Sequence, residues 1–376
     1  MLNAPYASVP IAQPPQRNRF RVKAARRVTL ILLVLLIAGA GGAWIDLQQF
    51  ARRQAGQDDT PVVISVAPGQ SFTQLTGELS RHNIISSKYR FRLLARLRGE
   101  DKQLKAGEYA LASSMTPLQV LDALVRNKVL QYRLTVPEGF NLAQIAAEIA
   151  RLDLADAAVF KDLVHDPNLA ASLGYRADSL EGYLYPETYY FAKDVTPRKI
   201  IETMVRRFDA QFPEAWRQRA AQLKMSVHQV VTLASIIEKE TGAPQERPLI
   251  SSVFHNRLKK KMRLESDPTV IYGIKDFDGN LTRNHLITPS PYNTYLIAAL
   301  PSGPIANPGR AAIEAALFPV QSDFLYFVSK QDGTHTFSKT YREHRAAVPS
   351  PGLCHPKRAA AAVHRHRSGG RRGGPP

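Results

Sequence analysis

Ser226-Val-His-Gln-Val-Val-Thr-Leu-Ala-Ser-Ile-Ile-Glu-Lys-Glu240 is the stretch from which the rest of the chain is read. Ser226 followed by Gln229 predicts a capping box that opens a helix. At about 100° per residue, Val227, Val230, Val231, Ala234 and Ile237 share one face. Glu238 falls within that face, Lys239 points away, and Glu240 lies near the edge. A carboxylate inside an apolar stripe is costly unless it is paired or protonated. Burial of that kind raises a carboxyl pKa, as a general acid working near neutral pH requires. The competing reading is a solvated helix end, the usual fate of a Glu-Lys-Glu run. Helix phase favours Glu238 as a candidate catalytic acid.

Charge and composition narrow the remaining classes. The chain has 376 residues and a formal net charge of +18, enough length for two or three domains. The charge is concentrated at the ends. Arg17, Arg19, Arg21, Lys23, Arg26 and Arg27 precede the first acid, and Lys357, Arg358, Arg365, Arg367, Arg371 and Arg372 follow Pro349. The body keeps only +6, with no basic stripe interleaved with aromatics, so nucleic acid is not an expected partner. Cys354 is the single cysteine, which excludes an internal disulfide and a cysteine metal site. The histidines show no HExxH or paired-ligand spacing, and no metal or cofactor is expected. No nucleophile elbow, Ser-His-Asp order or Gly-rich phosphate cradle stands out.

Residues 1–27 are Pro-rich and basic and read as a disordered segment. The uncharged run Val28 to Ile45 is just long enough to span a bilayer core. Its basic flank predicts a cytoplasmic N-terminus, and Trp44 suits the far interface. An uncleaved anchor is preferred to a signal peptide, because no clear cleavage site interrupts the run. Residues 46–60 read as a polar linker. Residues 61–140 read as a small α+β domain, with strands at 62–66, 105–111 and 133–136 and helices near Phe72 and from Pro117 behind Thr116. Residues 141–348 read as a larger mixed α+β domain that ends in a hairpin across Asp332-Gly333. Residues 349–376 read as a basic disordered tail with no assigned function.

Further candidate chemistry lies in three segments. Leu180-Glu-Gly-Tyr-Leu-Tyr-Pro-Glu-Thr-Tyr-Tyr-Phe191 combines aromatics with acids, which suits a sugar groove or, equally, a core strand. It supplies Glu181 and Tyr185 as candidate substrate contacts. Asp267 before Pro268 predicts an extended or turn geometry that projects a carboxylate. Thr288 to Tyr295 and Leu300 to Gly309 are proline-stiffened loops that suit groove walls.

Together, Leu233-Ala-Ser-Ile-Ile-Glu-Lys-Glu-Thr241, Glu246-Arg247, Val253-Phe-His-Asn-Arg-Leu258, Met262-Arg-Leu264, Asp267-Pro-Thr-Val-Ile-Tyr-Gly273, Tyr292-Asn-Thr-Tyr295 and Leu300-Pro-Ser-Gly-Pro-Ile305 resemble the endolytic murein transglycosylases, the MltG or YceG-like family. The likeness covers residues 28–348. It implies a single-pass inner-membrane protein with a periplasmic catalytic domain behind a small LysM-like domain. It implies cleavage of nascent peptidoglycan strands between N-acetylmuramic acid and N-acetylglucosamine. The products would carry 1,6-anhydro-muramyl ends, and strand elongation would stop. The family's catalytic glutamate maps onto Glu238. Asn256, Arg257, Tyr292 and Asn293 become expected substrate contacts, and cell-wall synthases become candidate partners. Glu181, Glu187, Glu240 and Asp267 are available as a second carboxylate, so a water-using muramidase stays open. So does a non-catalytic peptidoglycan-binding scaffold.

Overall fold

The computed structural model describes residues 17–126, 128–193 and 195–348. The tail at 349–376 and the first part of the 1–27 segment lie outside the described residues. Two compact units divide the chain. The first comprises residues 1–134, 149–156 and 189–196, and the second comprises 135–148, 157–188 and 197–376.

The first unit begins with α1 (Arg17–Arg52), longer at both ends than the apolar run predicts. Residues 17–27, expected to be disordered, are helical. So are residues 46–52, expected to be linker, because Leu47, Phe50 and Ala51 are buried in the unit's core. Val28 to Ile37 stand exposed along the helix, as do Trp44 and Ile45. Among the described residues this is the one helix long and apolar enough to cross a membrane. Next come β1 (Val62–Val66), α2 (Phe72–Arg81), α3 (Lys88–Leu97), β2 (Gly107–Leu111) and α4 (Pro117–Val125). β1 and β2 pair antiparallel, Val62 opposite Leu111 and Ile64 opposite Tyr109, so alternate residues face the helices. Capping boxes at Ser71 and Thr116 start α2 and α4. Leu75, Leu79, Phe91, Val120 and Leu124 complete the core. β3 (Gln131–Thr135) pairs with β4 (Thr188–Ala192).

The second unit contains α5 (Leu142–Arg151) up to residue 148, α6 (Ala157–Val164), α7 (Pro167–Ser172), α8 (Pro197–Gln211) and α9 (Glu214–Gln222). Then follow α10 (Val227–Glu240), α11 (Arg247–Lys259), α12 (Asp267–Tyr272), α13 (Arg283–Ile287) and α14 (Arg310–Leu317). The hairpin of β5 (Tyr326–Ser329) and β6 (His335–Ser338) and the short α15 (Tyr341–Ala347) close it. The capping box at Ser226 is present, and α10 is the central element. Every residue from Val230 to Ile237 is buried, Thr232 and Ser235 included. The helix is therefore wrapped on all sides, not buried along the single stripe that its phase predicts. The hydroxyls of Thr232 and Ser235 donate to carbonyls one turn back, which makes them tolerable inside. Asp267-Pro268 begins the short helix α12, with Pro268 in its first turn, where proline is tolerated, in place of the expected extended or turn geometry.

Gly182 is a second constraint on the core. Its φ is +87°, and a Cβ there would lie 2.7 Å from both Val231 and Pro304. Gly182→Ala combines backbone strain with overpacking and is expected to cost about 3 kcal/mol. Thermal unfolding should show a melting point several degrees lower. An unchanged melting point would contradict this packing.

Candidate active site

Glu238 sits in the last turn of α10, and its side chain is only 8% exposed. It is not in the apolar surroundings that helix phase predicts. Arg247 Nη2, at the start of α11, donates to Oε1 at 3.2 Å, and the Gly309 N–H donates to Oε2 at 3.1 Å. Gly309 is the N-cap of α14. The carboxylate therefore meets a guanidinium and the positive end of a helix. Both donors are needed, because the C-terminal end of α10 is itself unfavourable for an anion.

A second carboxyl joins the first. Glu138, in the loop between β3 and α5, lies 3.9 Å from Arg247 Nη2, with its side chain half exposed. Desolvation and then the Glu238 charge push its pKa up, and Arg247 opposes them. Its carboxyl rests on Gly309, where a Cβ would come within 2.0 Å of it. Arg247 is bracketed by Glu138 and Glu238, and its buried Nε has no protein partner among the described residues. The Glu138 side of the site was not a candidate in the sequence. Arg247 stood within a quoted motif but carried no assigned role.

Asn307 holds this arrangement together. It is fully buried. Its Nδ2 donates to Phe140 O and to Glu181 Oε1, its Oδ1 accepts from the Leu184 N–H, and its own N–H donates to Phe140 O. The Gly139 N–H returns a bond to Asn307 O at 2.9 Å. The loops carrying Glu138 and Gly309 are thereby fixed to each other.

Glu181, expected to bind substrate, is a structural clamp. It is 2% exposed, and its oxygens accept from the Leu142 N–H, the Tyr272 hydroxyl and Asn307. Burial pushes its pKa up to about 7, against those hydrogen bonds. Arg257, also expected at the substrate, is committed to the carbonyls of Leu325, Arg263 and Leu264 and to Glu265. Asn293 is fully buried and ties Nδ2 to three carbonyls of the α13 region. Asn256 donates to Ser322 and Phe324 carbonyls. These four positions hold loops in place. Tyr185 is buried, with Glu138 among the charges that act on its phenol. Tyr292 packs edge-on against Tyr272, their centroids 4.8 Å apart. Asp267 is exposed and accepts from the Tyr295 hydroxyl at 2.7 Å. The aromatic segment from Leu180 is mostly core, as the strand reading expects.

Beside Glu238 opens a cleft of about 690 Å³. Its walls include Gly139, Asn141, Gln144, Lys161, His165, Lys239, Tyr272 and Phe277. Its wall reaches the stem of Glu238, since a Cβ on Gly139 would lie 3.5 Å from Glu238 Cγ.

Comparison with known proteins places this geometry. The YceG-like family model matches residues 64–350. The chain belongs to the YceG-like family. A Bacillus subtilis (strain 168) protein named endolytic murein transglycosylase is 33% identical over 327 residues, covering 82% of this chain and 89% of its own length. A Streptococcus pneumoniae (strain R6) protein of the same name is 28% identical over 299 residues, 71% of this chain, which spans about half (54%) of that relative. The crystal structure of a yceG-like protein from Listeria monocytogenes aligns at a TM-score of 0.54 and 34% identity, covering 77% of this chain and 99% of that one.

Two tests follow from the site. The nearest atoms to a Cβ at Gly309 are the half-exposed carboxyl end of Glu138, so Gly309→Ala should fold normally but displace that carboxyl. It is expected to match Glu138→Ala in activity, and a fully active Gly309→Ala enzyme would contradict the arrangement. The second concerns Glu240, which accepts from Ser266 and whose pKa burial pushes up to about 7. Its folded pKa exceeds the unfolded value of 4.5, so the folded state binds more protons between the two. Stability from this group is therefore complete below about pH 4.5 and is lost as pH rises through about 7. His255, lowered by burial, contributes the opposite slope below its unfolded pKa, so a difference measurement is required. Between pH 5 and 8 the melting point of Glu240→Gln should fall less than that of the native chain. Parallel curves would contradict the burial of Glu240.

Proposed function

We propose that this chain is a membrane-anchored endolytic lytic transglycosylase of peptidoglycan, with Glu238 as its catalytic residue. The observation that carries the proposal is the Glu238 carboxyl held between Arg247 and the Gly309 N–H, with Glu138 across the guanidinium. The names of the relatives support the activity. α1 supports the anchor, with its basic start on the cytoplasmic side and the rest of the protein in the periplasm. The β1-α2-α3-β2 order of the first unit supports a LysM-like glycan-binding role for residues 61–140. Peptidoglycan strands are the substrate, and cell-wall synthases are proposed neighbours.

In the proposed cycle, protonated Glu238 gives its proton to the glycosidic oxygen as the muramyl C1–O bond breaks. Arg247 and the Gly309 N–H then stabilise the carboxylate that forms. That carboxylate takes the proton from the muramyl C6 hydroxyl while O6 bonds to C1. One bond breaks, one forms, and no water enters, which leaves a 1,6-anhydro end. Glu138 is a second carboxyl at the same guanidinium, its pKa pushed up by desolvation and then by the Glu238 charge.

Glu138 also favours a second reading, a water-using muramidase. That chemistry needs two carboxyls, one to protonate the leaving group and one to act as nucleophile or water base. Glu187 and Asp267 are less suited to that role, since Glu187 pairs with Arg207 and Asp267 accepts from Tyr295.

Glu238→Gln keeps size and removes the titrating proton. Strand cutting by the purified variant should fall at least about a hundredfold without loss of folding. Cutting at the native rate would eliminate the assignment and leave a binding scaffold.

A further inference from the structure

We infer that the cleft beside Glu238 takes the carboxylate-bearing peptide stem of a muramyl residue, which positions the glycan strand for cutting. This rests on the proposed function and specifies which part of the substrate enters the cleft. The rim is cationic. Lys161 and His165 come from α6 and the turn after it, and Lys239 comes from the residue after Glu238. All three are exposed. Lys161 and His165 are held as a pair, because His165 Nδ1 bonds the Lys161 carbonyl at 2.8 Å. Lys239 Nζ lies 3.4 Å from the Gly139 carbonyl, which keeps its charge at the mouth.

The single acid in the lining is Glu181, whose oxygens are occupied by Leu142, Tyr272 and Asn307. Among its lining residues the cleft therefore offers two lysine ammonium groups and no carboxylate with free oxygens. Leu142, Ala143, Pro268, Ile271, Ile274 and Phe277 form apolar wall, and Asn141, Gln144 and Tyr272 add polar groups. Cations around short aliphatic walls suit a small peptide with alkyl side chains and free carboxylates. A neutral run of sugars has no use for two ammonium groups at its rim. Muramyl residues are the sugars of this polymer that carry such a peptide, and Gly139 and Lys239 join the cleft to the reacting carboxyl. Seating the stem there would place a muramyl ring, rather than its neighbour, next to Glu238.

The test compares two substrates for the full chain in detergent: uncross-linked strands with stems, and the same strands after an amidase has removed them. Lys161→Glu reverses one rim charge at an exposed position and is expected to keep the native melting point. It should lower kcat/KM on stem-bearing strands about tenfold, mainly through KM, and leave cutting of bare strands unchanged. Lys161→Arg should retain native behaviour on both. An equal loss on both substrates would mean that the cleft holds sugar, and no loss on either would mean that it holds nothing; both outcomes overturn the inference. If the native chain cuts neither substrate, the proposed function itself fails.

Discussion

A carboxylate in the last turn of a buried helix is disfavoured twice, by lost hydration and by the partial negative charge of the helix end. Glu238 occupies that position, and the site is organised around compensating it. The start of α11 supplies Arg247, and the cap of α14 supplies a backbone N–H. Leaving such a buried charge without its partner costs about 3–5 kcal/mol, a large part of a domain's usual 5–15 kcal/mol. The successive helices α10 and α11 are thus held to the distant α14 through one carboxyl. Asn307 performs the same service for the loops, bonding backbone on both sides of the site.

Environment separates the acids of the second unit into roles. Glu181 and Glu240 are the more secluded, and burial raises the pKa of both. Their oxygens are spent on neighbouring donors, so they brace the fold. Glu138 and Glu238 share one guanidinium, and Glu138 is half exposed. A raised carboxyl pKa alone singles out Glu181 and Glu240, whereas the shared guanidinium of Arg247 brings Glu138 and Glu238 together.

Local signals were legible in the sequence because their causes are local. The Ser226 and Thr116 caps, the bounds of β1 and the closing hairpin follow from turn and capping chemistry within a few residues. Glu238 was found by helix phase, yet α10 is buried all round, so phase said little about the carboxyl's surroundings. Its partners come from Arg247 and Gly309, and their approach is a tertiary fact. Glu138 was invisible for the same reason, since Pro137-Glu-Gly139 reads as an ordinary strand end. Arg257 and Asn293, expected as substrate contacts, bond loop carbonyls here, and a polar residue in a motif looks the same in sequence for either role. The two-unit partition, with α5 crossing the boundary at residue 148, also has no local marker.

The most direct test of the proton cycle at Glu238 is to run strand cutting in heavy-oxygen water and weigh the new muramyl ends. An intramolecular attack by O6 gives ends one water lighter than a reducing sugar, with no heavy oxygen at the moment of cutting. Reducing ends that carry the heavy label would contradict it and assign the second carboxyl, Glu138, to water.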